Sequence, residues 1–220
     1  MANKKYSLII FDWDGTLMDS SAYITACMQS AIAEFKAEPR SDIQVREIIG
    51  LSLEEAVHTL YPDADDFFID NIIRLFRIQF MSTDRKPSPL FEGAEEMLEI
   101  LTQRGYDLAI ATGKSRQGLN KVLSETGLEH YFPVTRCADE AFSKPHPQML
   151  QEVLIDHDLK VECALMIGDT DYDIHMANNA KMDSLAVSFG AHDLPRLLRA
   201  NPLGVVNTLI EIPSWLKNYE

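Results

Sequence analysis

Short apolar runs and helical periodicities alternate along most of this chain. Residues 6–11, which end in the apolar run Leu8–Phe11, predict a buried strand. Residues 18–85 then carry almost purely helical spacing. Asp19 or Ser20 offers an N-cap for a helix that runs to about Glu38 and stops at Pro39. Ser41 with Gln44 predicts a capping box on a short helix ending at Gly50, and Ser52 with Glu55 another on a helix reaching about Leu60. Pro62 and the acidic run behind it open a longer helix, with Phe68, Ile72, Leu75, Phe76 and Phe80 at roughly helical spacing. Residues 86–89, Lys-Pro-Ser-Pro, read as a linker.

Beyond the linker the pattern changes. Helical spacing over 94–104 closes at Gly105, an apolar run follows at 106–111, and a helix over 115–125 closes at Gly127. Strands at 134–137, 164–167, 184–187 and 204–206 alternate with helices at 147–157, after residue 171, at 194–199 and at the end of the chain. Short apolar strands alternating with helices predict an α/β fold, a Rossmann-like doubly wound parallel sheet covered on both faces. The expected division is a core of residues 1–17 and 88–220 with an all-helical insert at 18–87. In such sheets ligands bind at the carboxyl ends of the strands.

The polar residues that fit no packing role fall at those ends. Asp12 and Asp14 follow the first strand in the run DWDGT. Two carboxylates one residue apart at the end of a buried strand repel each other and are costly to desolvate unless a cation joins them. Thr112, Gly113 and Lys114 follow the second strand, Lys144 lies in SKPHP after the third, and Asp169, Asp171 and Asp173 follow the fourth in GDTDYD. A P-loop would need glycine at position 108, which is Leu108. His146 and His175 have no partner at metal-binding spacing, and Asp171 and Asp19 read as helix caps.

In this order the motifs DWDGT, ATGK, SKP and GDTDYD resemble the haloacid dehalogenase superfamily, in its phosphoglycolate-phosphatase-like branch, over essentially the whole chain. The resemblance implies that the insert at 18–87 is a helical cap and that the protein is a Mg²⁺-dependent phosphatase acting on a small phosphate monoester. It implies Asp12 as the nucleophile that forms an aspartyl phosphate, and Asp14 as general acid and then base. Thr112 and Gly113 would bind the phosphoryl oxygens, and Lys144 would offset charge on them and on Asp12. Asp169 would hold Mg²⁺ with the Asp12 carboxylate and the Asp14 carbonyl. Asp173 would be a further metal-site carboxylate that organises Lys144. Within the cap, Arg46 is the candidate for contact with the leaving group, as is Lys114 beside the second motif.

Departures within the superfamily narrow the reading. A dehalogenase lacks the second aspartate of the first motif, which is present here as Asp14. A phosphonatase uses a cap lysine, and the first cap helix offers only Lys36 near its far end. A β-phosphoglucomutase-like mutase is the rival, but the cap loop IIGLSLEE holds no basic residue. A phosphate-binding protein on a retired scaffold would be expected to have lost one of Asp12, Asp14, Lys144 or Asp169.

Composition adds exclusions. The 220 residues are 46% hydrophobic and 25% charged, as in an ordinary globular chain, and the formal net charge of −14 argues against nucleic-acid or anionic-membrane binding. A phosphorylated substrate must therefore be drawn in by local cations. Cys27, Cys137 and Cys163 form no C-x-x-C, so three buried thiols in a reducing cytoplasm are expected. The opening apolar run is too short for a signal-peptide core, and no segment reaches membrane-spanning length.

Overall fold

The first apolar run forms β1 (Leu8–Phe11), buried at all four residues. The computed structural model describes residues 4–82 and 88–220. After β1 come four consecutive helices, α1 (Ser21–Phe35), α2 (Asp42–Glu47), α3 (Leu53–Leu60) and α4 (Asp66–Met81). Alternation then sets in: α5 (Ala94–Gln103), β2 (Asp107–Thr112), α6 (Arg116–Thr126), β3 (Val134–Cys137), α7 (Gln148–Asp156), β4 (Ala164–Gly168), α8 (Asp171–Ala180), β5 (Asp183–Val187), α9 (Leu194–Arg199), β6 (Gly204–Val206) and α10 (Ile212–Leu216).

The strands make one sheet in the order β3-β2-β1-β4-β5-β6, and every neighbouring pair is parallel. Side chains alternate across it with the strand period. Ile9 and Phe11 join Leu108, Ile110, Leu165 and Ile167 on one face, which α5, α6 and α10 cover. Leu8 and Ile10 join Ala109, Ala111 and Met166 on the other, beneath α7 and α8. Strand order runs outward from β1 through β2 to β3, then restarts on the opposite side of β1 at β4. The reversal opens a crevice between the carboxyl ends of β1 and β4, where doubly wound sheets bind ligands. Register pairs Phe11 with Ile167, so Asp12 and the residues after Gly168 emerge side by side.

Helices α1–α4 build a separate apolar cluster that includes Met28, Ile32, Val45, Val57, Ile69 and Ile72 and no residue of the sheet. The expected capping box forms at α2, where Ser41 and Gln44 bond reciprocally, but at α3 only half of it forms, with Ser52 accepting from the Glu55 N–H. Other ends differ from expectation. Helix α1 stops at Lys36 in a left-handed conformation, before Pro39, and α4 begins at Asp66 because Asp65 accepts from the Phe68 N–H. The Ser20 side chain does not cap α1; its hydroxyl is engaged elsewhere. Thr170, not Asp171, caps α8 through a reciprocal bond with Asp173. Of the expected linker, Lys86 and Pro87 lie outside the described residues. The chain returns beside its exit point, with the Asp19 N–H donating to Pro89 O at 2.9 Å.

Ile10 is fully buried between β2 and β4. Ile10→Ala is expected to lower unfolding free energy by about 2–5 kcal/mol, read from urea denaturation. A loss below about 1 kcal/mol would mean that this interior is not close-packed.

Candidate active site

The turn after β1 is fixed from below by Trp13, which is fully buried, lies edge-on to Phe132 and donates its indole N–H to Met18 Sδ at 3.4 Å. The N–H groups of Leu17 and Met18 both donate to Trp13 O at 3.0 Å, which curls the chain back. Gly15 has φ +83°, and a Cβ there would lie 2.1 Å from Asp169 Oδ2. Glycine is thus required both for the backbone and for the approach of the β4 loop.

Three carboxylates meet in the crevice. Asp12, Asp169 and Asp173 are at most 1% exposed, and each offers an oxygen within 4.8 Å of the others. Lys144 Nζ, also buried, lies 2.7 Å from Asp12 Oδ1 and 2.6 Å from Asp173 Oδ1. Asp173 Oδ2 accepts from the Thr170 hydroxyl at 2.7 Å and the Thr170 N–H at 3.1 Å. Asp169 Oδ1 accepts from the Thr16 hydroxyl at 2.8 Å, and its Oδ2 from the Ala191 N–H at 2.7 Å. Asp12 differs: the Lys144 ammonium is its one close partner among the described residues, and no backbone N–H or hydroxyl donates to either oxygen.

The electrostatics follow from burial. Desolvation pushes the Asp12 carboxyl up to about 7, with Lys144 opposing and Asp173 and Asp14 adding to the rise. Desolvation and the charges of Asp12 and Asp173 hold Asp169 well above the usual carboxylate range, although the Ala191 N–H and Thr16 pull it down. Burial alone would deprotonate Lys144, but Asp12 and Asp173 keep its ammonium above the usual lysine range.

Asp14 stands apart from this cluster. Its Oδ1 accepts from the Ser20 hydroxyl at 2.5 Å and its Oδ2 pairs with Lys114 Nζ at 2.9 Å. The Ser20 contact was not legible in the motif, where Ser20 reads as a cap; its position six residues after Asp14 is the only signal. Thr112 is fully buried, and its hydroxyl oxygen accepts the Lys114 N–H at 3.2 Å, which leaves the hydroxyl proton to donate. Gly113 lies directly under the loop joining α2 to α3: a Cβ there would sit 2.5 Å from Leu51 O and 2.6 Å from Gly50 O.

Helices α1–α4 roof the crevice, leaving a cleft of about 860 Å³, solvent included, floored by Asp12, Asp14, Thr112, Gly113 and Lys114. Arg46 does not line it. Helix α2 turns Val45 and Ile48 into the apolar cluster, which leaves Arg46 exposed on the outside. The arginine that does line the cleft is Arg77 of α4, which the sequence reading passed over as part of an ordinary amphipathic helix.

A polar seam not anticipated from sequence ties the roof to the sheet. Glu47 O at the end of α2 accepts from the Tyr172 hydroxyl at 3.0 Å, and the buried His192 places Nε2 3.2 Å from the same oxygen. An Nε2–H tautomer satisfies His192 fully, since its Nδ1 faces the Asp171 N–H at 3.1 Å. Arg196 forks onto Asp171 at 2.7 and 3.0 Å and pairs with the Glu47 carboxylate. This is the role Asp171 plays in place of capping. Ser52 N–H donates to Ser143 Oγ at 2.8 Å on the other side of the cleft. His146 and His175 are exposed, as expected.

Comparison with known proteins agrees with this geometry. The sequence profile of the "Haloacid dehalogenase-like hydrolase" family matches residues 9–187. "Probable phosphatase IndB" of Dickeya dadantii is 32% identical over 209 residues, covering 93% of this chain and 91% of that protein. A "Phosphoglycolate phosphatase" of Nitrosococcus oceani is 27% identical, with 97% of each chain covered. A solved haloacid dehalogenase-like family hydrolase from Streptococcus pneumoniae superposes with a TM-score of 0.84 at 24% identity, covering 96% of this chain and 98% of that one, and shows the same fold.

The raised Asp12 carboxyl has a measurable consequence. In the metal-free folded chain it releases its proton near 7, and in the unfolded chain at its ordinary value of about 3.8. Its contribution to stability is therefore fully present below about 4 and is lost as pH rises through about 7. In EDTA, Asp12→Asn should gain melting temperature relative to the native chain between pH 5 and pH 8. A constant difference across that range would mean that Asp12 is not held above its ordinary value.

Proposed function

Since the chain belongs to the haloacid dehalogenase-like hydrolases, we propose that it is a Mg²⁺-dependent phosphatase that hydrolyses small phosphate monoesters through an aspartyl phosphate on Asp12. The observation that carries this reading is the state of Asp12: a fully buried carboxylate that faces one ammonium and takes no bond from a backbone N–H or a hydroxyl. Folding gives no return for that arrangement. A nucleophile that must reach phosphorus does require it.

The donor set fits a hard dication. Oxygen ligands from Asp12 and Asp169, with the Asp14 carbonyl, suit Mg²⁺, which keeps several waters. Asp173 would support them from behind, since Lys144 takes one of its oxygens and the Thr170 hydroxyl and N–H both take the other, whereas each Asp169 oxygen accepts a single bond and keeps a lone pair. When bound, Mg²⁺ neutralises charge on the phosphoryl oxygens and on Asp12.

This chain's own residues then do the rest. An Asp12 oxygen attacks phosphorus, and the bond from phosphorus to the leaving oxygen breaks. Asp14, aimed by Ser20 and Lys114, gives that oxygen a proton. Thr112 donates its hydroxyl proton, and Gly113 its N–H, to the phosphoryl oxygens, and Lys144 offsets their charge. A water then attacks phosphorus, Asp14 takes its proton, and the Asp12–phosphorus bond breaks to free phosphate. Helices α1–α4, residues 18–87 in the expected division, serve as the cap that excludes bulk water, with the seam at Glu47 holding it shut. A cytoplasmic setting fits three cysteines that form no disulfide among the described residues, of which Cys163 is only half-buried. No helix among the described residues is long and apolar enough to cross a membrane.

Phosphate release from a panel of small esters, with Mg²⁺ or with EDTA, tests the reading. EDTA should abolish turnover, and Asp12→Asn should reduce it about a thousandfold or more. Turnover that survives either change would overturn the mechanism. Isomerisation of β-glucose 1-phosphate without phosphate release would mark a mutase instead.

A further inference from the structure

The cleft wall opposite the carboxylates is strongly apolar. Ile24 and Met28 from α1, Ile49 and Leu53 around the α2–α3 loop, and Phe76 and Phe80 from α4 face into it. Phe76 and Phe80 stack with centroids 5.7 Å apart and planes 18° from parallel, giving the wall a flat aromatic section. This section reaches the site itself, because Lys114 Nζ lies 4.5 Å over the Phe80 ring while paired with Asp14.

Few polar ends remain for a substrate. Lys114 is committed to Asp14, and the Ser115 hydroxyl oxygen accepts the Gly118 N–H that caps α6. Besides Asp12 and Thr112, which the phosphoryl group would engage, the side chains that line the cleft without such a partner among the described residues are the Gln117 amide and the exposed Arg77 guanidinium. A sugar leaving group would bring several hydroxyls against hydrocarbon with almost nothing to bond them, and each buried hydroxyl left unpaired weakens binding. Glycolate would set a carboxylate on the same wall, where Lys114 is already paired with Asp14 and the remaining cation, Arg77, is drawn outward to solvent. A ring-sized apolar group instead covers the wall, releases its water and can lie against the Phe80 face.

We infer that the leaving group of the preferred substrate is a ring-sized apolar alcohol, aromatic or similarly flat, seated against Ile24, Leu53, Phe76 and Phe80. This rests on the phosphatase reading above. It makes Ile24 and Leu53 specificity-determining residues, remote from the reacting atoms.

The test is kcat/KM with Mg²⁺ on esters of primary alcohols, which keeps leaving-group reactivity similar: benzyl phosphate, ethyl phosphate, 2-phosphoglycolate and glucose 6-phosphate. Benzyl phosphate should lead each of the others at least tenfold, about 1.4 kcal/mol, chiefly through KM. Ile24→Asn and Leu53→Asn should each erode that lead while leaving the ratio of ethyl phosphate to phosphoglycolate in place, with folding checked by urea denaturation. Equal or better turnover of phosphoglycolate or glucose 6-phosphate would overturn the inference. If no ester turns over, the phosphatase reading fails, and calorimetry still decides the pocket. Benzyl phosphate binding the Asp12→Asn chain at least tenfold more tightly than ethyl phosphate supports the apolar site; equal affinity rejects it.

Discussion

Three carboxylates, those of Asp12, Asp169 and Asp173, lie buried at the carboxyl end of one sheet, and the buried ammonium of Lys144 pairs with two of them, Asp12 and Asp173. Removing charges from water carries a penalty of several kcal/mol for each ion, repaid only by close partners. Asp173 has such partners in Lys144 and Thr170, and Asp169 has them in Thr16 and Ala191. Asp12 has only the ion pair, so the imbalance concentrates on the residue nearest the open cleft. Without a further cation the cluster answers by holding protons, which is the meaning of the raised Asp12 and Asp169 carboxyls. Gly15, Trp13, the α8 cap and the β1–β4 register all serve to keep these groups together despite their repulsion.

The sheet reversal explains why the groups converge here. Parallel strands send every carboxyl end to one side, and the change of strand order beside β1 leaves room between the loops after β1 and β4. Roofing that crevice takes a second body. Helices α1–α4 provide it, with an apolar cluster of their own and a polar seam to the sheet at Glu47, Tyr172, His192 and Arg196. The roof contributes hydrocarbon to the cleft while the sheet contributes charge, so the two halves of a bound ester meet different solvents.

The order of strands and helices after residue 90 is readable because the strands are short, mostly apolar outside β3, and followed by a turn residue or a cap. Strands β3 and β6 and helix α9 fall at the expected residues. Helix ends in the α1–α4 segment were less legible, because Ser20 and Asp65 each compete with neighbouring polar residues for the same role, and tertiary contacts decide between them. The motif residues Asp12, Asp14, Thr112, Lys144 and Asp169 were visible in sequence because no packing rule asks for them there. Arg46 was chosen by charge alone, and the turn of α2 around Val45 places it outside the cleft. The Glu47–Arg196 seam depends on a contact across 149 positions of chain, which no local pattern reveals.

In the proposed mechanism a dication held by Asp12 and Asp169 completes the carboxylate cluster. Thermal unfolding in a Mg²⁺ titration, on the native chain and on Asp169→Asn, measures this without recourse to turnover. Mg²⁺ is expected to raise the melting temperature of the native chain in a saturable manner and to leave that of Asp169→Asn nearly unchanged. No shift in the native chain, or an equal shift in both, would contradict that mechanism.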